Sequence, residues 1–211
     1  DGNVRGLLPE RMHGGWDRAG LQGLVNVHCN ELHYRKAEGS PKPTWRVDGR
    51  IDLHQVDALA VAGLDHASGT LTLSGTLVDR LGGATLAGRL HLATARLHSR
   101  TLSDIESAWS LVRSADGVGR LSLAETHAAI YGGALTGHVE MLLGPDRTDY
   151  DLTAMVYGMQ IAPWLQAGRN GLSGSAIAAG GDEATHVRGT ADAQLYLSGV
   201  IGDPLSRRGG G

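Results

Sequence analysis

Phenylalanine is absent from this chain of 211 residues, and aromatic residues make up only 4% of it. Few large rings are available to key a dense interior, and the apolar complement is mostly Leu, Ala and Val. Such a composition suits a thin or repetitive fold better than a thick globule. The one cysteine, Cys29, rules out an intrachain disulfide framework. Its place on the apolar side of a strand pattern predicts a small buried residue. No apolar run is long enough to cross a bilayer as a helix, and no signal peptide is recognisable. Charge of one sign is lacking too: 19 Lys and Arg stand against 22 Asp and Glu, giving a net charge of −3. These charges are interspersed, and the lone Arg207-Arg208 run before the terminal glycines is no basic stripe, so nucleic acid is not an expected partner. The chain starts at Asp1 and ends at Gly211 in what reads as another strand approach; a piece of a longer protein is expected.

Glycine is abundant, at 32 residues, about twice the usual share. It is too frequent for a helical protein and too irregular for collagen. The clearest pattern is Trp45 to His54. Trp45, Val47, Ile51 and Leu53 fall on one side of an extended strand, with Arg46, Asp48, Arg50, Asp52 and His54 on the other. Period two of this kind marks a sheet with one dry and one wet face.

The alternation recurs. Val25, Val27 and Cys29 oppose Asn26, His28 and Asn30, and Leu71, Leu73 and Leu77 oppose Thr70, Thr72, Ser74 and Thr76. Leu86, Leu90 and Leu92 follow. Leu135, Val139 and Met141 then face away from Thr136, His138 and Glu140, and Leu152, Ala154 and Val156 from Asp151, Thr153 and Met155. A last strand is expected from Val187 to Leu197. Residues 102–112 fit both periods, with a strand preferred because the neighbours are strands. Turns are expected at Gly82-Gly83, Asp116-Gly117 and Gly144-Pro145-Asp146, and an irregular connection at Val56 to Leu64. Residues 1–19 read as an irregular or short-helical lead-in, Ile161 to Leu165 as one helical turn, and 168–184 as a mobile Gly- and Ala-rich loop. Gly49, Gly75, Gly88, Gly137 and Gly189, inside strand patterns, are expected to supply bulges that curl the sheet. No linker divides the chain, so residues 1–211 are read as a single unit.

Chemical motifs are scarce. None of the ten histidines forms His-x-His or His-Glu-x-x-His; His28 and His33, or His91 and His98, are merely close in sequence. Solvated histidines on wet strand faces account for them, and no metal or cofactor is expected. Gly171-Leu172-Ser173-Gly174 breaks the nucleophile-elbow spacing, and no phosphate loop or dinucleotide fingerprint occurs. Asp48 and Asp52, sharing a face with His54, are the one carboxylate pair that could serve acid–base chemistry.

Tyr131-Gly132-Gly133-Ala134-Leu135-Thr136-Gly137, with its alternation on to Met141, resembles the Gly-Gly-x-Leu-x-Gly strand of AsmA-like envelope proteins. The stretch from Gly189 through Leu195-Tyr-Leu197-Ser-Gly199 to Gly202-Asp-Pro204 and the terminal glycines is similar to their C-terminal region. The resemblance spans roughly residues 85–211, and the earlier half by pattern only. It implies a long curled β-groove anchored in the inner membrane and reaching across the periplasm. It also implies a role in phospholipid transport and outer-membrane homeostasis, and it brings no catalytic residues.

Residue pattern and resemblance converge on a mainly β fold: a curled, elongated, antiparallel-rich β-sheet groove with one or two short helices. Aliphatic side chains on its dry face would receive phospholipid acyl chains. The expected lining is Val47, Ile51, Leu53, Leu71, Leu73, Leu90, Leu92, Leu121, Leu123, Val139, Met141, Leu152, Val156, Leu195 and Leu197. A structural or adhesive β-solenoid and a polysaccharide-acting β-helix enzyme are the competing readings.

Overall fold

A computed structural model of the chain describes residues 21–36, 42–58, 64–78, 83–97, 100–145, 147–171, 188–201 and 203–210. Ten strands form one antiparallel sheet in sequential order: β1 (Leu21–Arg35), β2 (Thr44–Ala58), β3 (Leu64–Val78), β4 (Gly83–Leu97), β5 (Arg100–Arg113), β6 (Gly119–Ile130), β7 (Gly133–Leu143), β8 (Thr148–Gln160), β9 (Thr190–Val200) and β10 (Asp203–Gly210). Each strand pairs only with its chain neighbours, and the sheet is open, with β1 and β10 at its edges. One helix, α1 (Ile161–Gly171), separates β8 from β9. The mainly β, antiparallel expectation holds, and residues 102–112 are a strand. The expected lead-in at 1–19 and most of the Gly- and Ala-rich loop lie outside the described residues.

Local chemistry sets the hairpins. Tyr131 and Gly132 have φ of 46° and 79°. Positive φ at both central residues is the type I′ turn, whose twist matches that of paired strands. Between β5 and β6, the Asp116 carboxylate accepts from the Ser114 hydroxyl and from the Val118 N–H. The Gly144 N–H donates to the Arg147 carbonyl at 2.8 Å and closes the β7–β8 turn.

Two expectations about connections are corrected. Val56 and Asp57 belong to β2 rather than to an irregular connection. The helix runs to Gly171, far beyond one turn, and so takes in the first residues of the expected loop. Pro163 fits the first turn, where its missing N–H costs nothing. Trp164 packs on the buried cluster of the sheet, which adds tertiary support that helix propensity does not reveal.

The bulges are also placed differently from expectation. Gly75 sits in uninterrupted register, whereas Gly49 lies opposite a shift in β1 between Cys29 and Glu31, and Gly137 borders a shift in β6 between Leu123 and Thr126, so the extra residue lies on the partner strand in both cases. Besides the shift at Asn30 in the middle of β1, register shifts centre on Gln55 in β2, His66 in β3, Asp104 in β5, Glu125 in β6 and Gly158 in β8, these five towards the same end of the sheet. The five residues have φ of 50°, 54°, 50°, 51° and 63°. A left-handed residue within a strand makes the apolar spacing three rather than two at that point. Leu102 and Ile105 flank Asp104, Val156 and Met159 flank Gly158, and both pairs reach the same apolar cluster. Together these bulges bend the strands while keeping one face dry.

The buried cluster lies at this end: Ala67, Leu92, Ala95, Leu102, Ile105, Ala128, Ile130 and Met159, with Leu53, Leu135, Val156 and Trp164 packed against it. It is thin and rich in alanine, as expected of a single sheet with one short helix upon it. Cys29 is the reverse of the buried residue anticipated. It is exposed, because β1 is an edge strand with nothing on its outer side among the described residues.

The bulge at Glu125 can be tested by stability. Its side chain is exposed and its backbone left-handed, a conformation costing an L-residue about 1–2 kcal/mol. Glu125→Val is expected to destabilise the chain by about 1–2 kcal/mol despite valine's preference for strands, whereas Glu125→Gly is neutral or stabilising. Urea midpoints read the order, and a more stable valine variant would show a regular strand there.

Candidate functional site: an uncharged sheet face

Cross-strand register gathers the apolar residues into rows. One row runs Leu32, Val47, Gly75, Leu86, Leu111, Leu121, Met141, Tyr150, Gly199 from β1 to β9. The next comprises Cys29, Gly49 and Leu73, then Gly88, Trp109, Leu123, Val139, Leu152 and Leu197. A third holds Val27, Ile51, Leu71, Leu90 and Ser107, then Thr126, Gly137, Ala154 and Leu195. A fourth holds Val25, Leu53, Gly69, Leu92 and Ile105, then Leu135, Val156 and Ala193.

All fifteen expected lining residues fall in these four rows, on one face. Leu86, Trp109, Leu111 and Leu135 join them. Leu86 was legible from its alternation, whereas Trp109 and Leu111 were hidden by the ambiguous period of 102–112. The four rows contain no Asp, Glu, Lys, Arg or His. At a rise near 3.3 Å per residue and strands 4.8 Å apart, the field measures about 20 Å by about 38 Å. Leu92 and Ile105 are buried in the cluster on which Trp164 packs; most of the others are half-buried, and Val27 and Leu195, in the edge-side strands β1 and β9, are 54% and 41% exposed.

Polar atoms within the field are turned on one another. The Ser107 hydroxyl bonds the Ala124 carbonyl at 3.0 Å and lies 2.9 Å from Thr126 Oγ1. Trp109 crosses β4 over Gly88 and donates its indole N–H to the Thr72 carbonyl of β3 at 3.0 Å. The Arg89 N–H turns to the Thr72 hydroxyl, also at 3.0 Å. A Cβ at Gly88 would meet the Thr72 oxygen at 1.8 Å. Glycine here permits the close approach of neighbouring backbone and indole, which is a different service from the bulge expected of it.

The opposite face carries the charges. His28 lies 3.1 Å from Asp52, His91 3.4 Å from Glu106, and His138 3.6 Å from Glu140. Among the described residues no group of three or more His, Cys, Asp or Glu is disposed to hold a metal ion. Asp48 accepts from the Asn30 side-chain amide at 2.9 Å, and Asp52 from Arg50 Nε at 2.6 Å. Asp48 and Asp52 are four residues apart on one strand, about 13 Å by strand rise. That exceeds the roughly 5–9.5 Å between the paired carboxyls of glycosidases, and His54 turns to Asn26 rather than to either. A depression of about 560 Å³ opens at the β6–β9 hairpin end, lined by Arg120, Glu140, Arg147, Asp149, Asp151 and Ser198 among others. Met141, Leu142, Tyr150 and Val200 also line it, so charged and apolar groups are mixed there.

No protein-family model, curated protein or solved structure matches the chain.

Two measurements check this geometry. Gly88→Ala is expected to cost about 2–4 kcal/mol, through overpacking and loss of the Trp109 bond, and to alter the near-ultraviolet tryptophan signal. Asp52 is held below the ordinary carboxylate range chiefly by its bond from Arg50, with His28 assisting. A depressed folded value means that its contribution is present above the unfolded value, near 3.8, and is lost as pH falls through the folded one. Arg50→Gln should therefore raise the Asp52 titration midpoint seen by NMR while leaving that of Asp116 in place.

Proposed function

We propose that this chain is a non-enzymatic segment of an AsmA-like cell-envelope protein, whose dry sheet face shields phospholipid acyl chains between inner and outer membranes. One observation carries the reading: an uncharged aliphatic field spans nine strands, and the described structure covers it at one end only, with α1. The field suits acyl chains because aliphatic side chains make non-directional contacts, which let a chain slide. Each methylene taken out of water contributes about 0.8 kcal/mol. Eight methylenes give about 6 kcal/mol, an affinity between millimolar and micromolar before ordering costs. That is strong enough to hold a chain and weak enough to release it.

The resemblance at Tyr131–Met141 and at Gly189–Gly211 supports the family assignment, and with it a periplasmic location. Membrane anchorage would then reside in regions outside this chain; among the described residues no helix is long and apolar enough to cross a membrane. The open single layer favours this reading over a solenoid, whose stacked coils would close a filled interior.

The test is lipid recovery. Leu73 and Leu152 lie on the field outside the buried cluster, so Leu73→Asp with Leu152→Asp should leave the far-ultraviolet spectrum of the sheet intact. Mass spectrometry of the purified proteins is expected to find phospholipid with the parent chain and at least tenfold less with the double variant. Equal recovery from both, or none from the parent, removes the proposal.

A further inference from the structure

Arg100 is the first residue of β5, at the helix-covered end of the apolar face. Its guanidinium lies 4.6 Å over the ring of Trp164, and that ring packs on the buried cluster. Arg50, Arg96 and Arg147 each face an aspartate. Arg100 has no such partner among the described residues, and its Nε is buried without an acceptor. A buried donor left unsatisfied costs about 1–3 kcal/mol, more when charged; the Nε itself is covered, so an anion compensating this charge would be met by the terminal nitrogens of the half-buried side chain. Indole stacking fixes the plane of the guanidinium and leaves the planar fork that matches a carboxylate or phosphate. Immediately beyond it along β5 come Leu102 and Ile105, and then the uncharged rows.

We propose that Arg100 seats the oxyanion head of an amphiphile whose acyl chain runs onto the apolar face. This deepens the acyl-chain reading and rests on it. Charge complementarity selects the occupant: a cation beside an otherwise uncharged aliphatic field fits a molecule with one negative end and a long apolar remainder. The head is either the carboxylate of a free fatty acid or the phosphodiester of an anionic phospholipid. Stacked on Trp164, Arg100 would set where the head stops, and the length of the dry field would set how much tail is shielded.

The experiment compares ligands that share a tail. Retention of radiolabelled oleate and of methyl oleate is measured for the full chain, together with extraction of lipid from vesicles of phosphatidylglycerol and of phosphatidylcholine. The chain is expected to prefer oleate over its ester, or phosphatidylglycerol over phosphatidylcholine, by at least tenfold; which pair shows the preference identifies the head. Arg100→Gln should reduce that ratio below threefold, and Arg100→Lys should restore part of it. Because each variant is read as a ratio between ligands, partial loss of folded protein does not mimic the result. A preference that survives Arg100→Gln, or parent ratios near one with the neutral ligands retained, overturns the head-group seat while the acyl-chain reading stands. Retention of none of the four ligands by the parent overturns both.

Discussion

Everything in this sheet depends on aliphatic side chains staying on one face while the strands bend. A strand alternates by twos, so a single inserted residue would normally throw all later side chains to the opposite side. At five of the insertions the extra residue adopts left-handed backbone, and the side chains on either flank return to the same face. Asp104 does this between Leu102 and Ile105, and Gly158 between Val156 and Met159. Because several strands make the same insertion towards the same end, neighbouring ladders bend together instead of breaking apart. The cost is left-handed backbone at Gln55, His66, Asp104 and Glu125, residues that do not favour it as glycine does. Polar side chains at these points keep the inserted residue at the wet surface.

This device also explains which parts of the structure were legible in the sequence. Wherever alternation ran unbroken, the face was readable, and residues as distant as Val47, Leu123 and Leu197 were correctly placed together. The buried cluster was mostly unreadable. Ala67, Ala95, Leu102, Ile130 and Met159 lie beyond or beside the inserted residues, where counting by twos fails. Glycine drew attention as the expected bulge former, yet Gly88 serves to admit the Trp109 side chain. The reach of that indole across β4 to Thr72 is a tertiary contact with no signature in local spacing. The length of α1 was underestimated for a related reason: the glycines at its end suggest a loop, and the packing of Trp164 on the sheet is invisible until the sheet exists.

The thinness of the core has a thermodynamic consequence. A single layer with one helix buries its aliphatic residues on one side only, and most of the dry rows remain half-exposed. Ordinary domains close such a face with a second layer. Antiparallel pairing between chain neighbours compensates in part, because every ladder except β8–β9, which spans α1, is short-range and cheap to close in entropy. Stability is thus carried along the chain by successive hairpins, much as in repeat proteins, and does not require a thick centre. This leaves the dry face free of the duty of holding the fold together over much of its area.

That freedom separates the two ends of the face. Under α1, side chains are buried and fixed, and Arg100 is stacked in place on Trp164. Towards the opposite hairpins, the rows of Val47, Leu86, Leu111 and Met141 are uncovered by any described element. A flexible apolar molecule laid across such a surface gains area wherever it lies on the open rows, and it meets a rigid boundary at only one end. Position along the face is therefore set by the boundary and extent of contact by the length of the molecule. Two properties that usually compete, looseness of grip and definite placement, are assigned to different residues of the same strands.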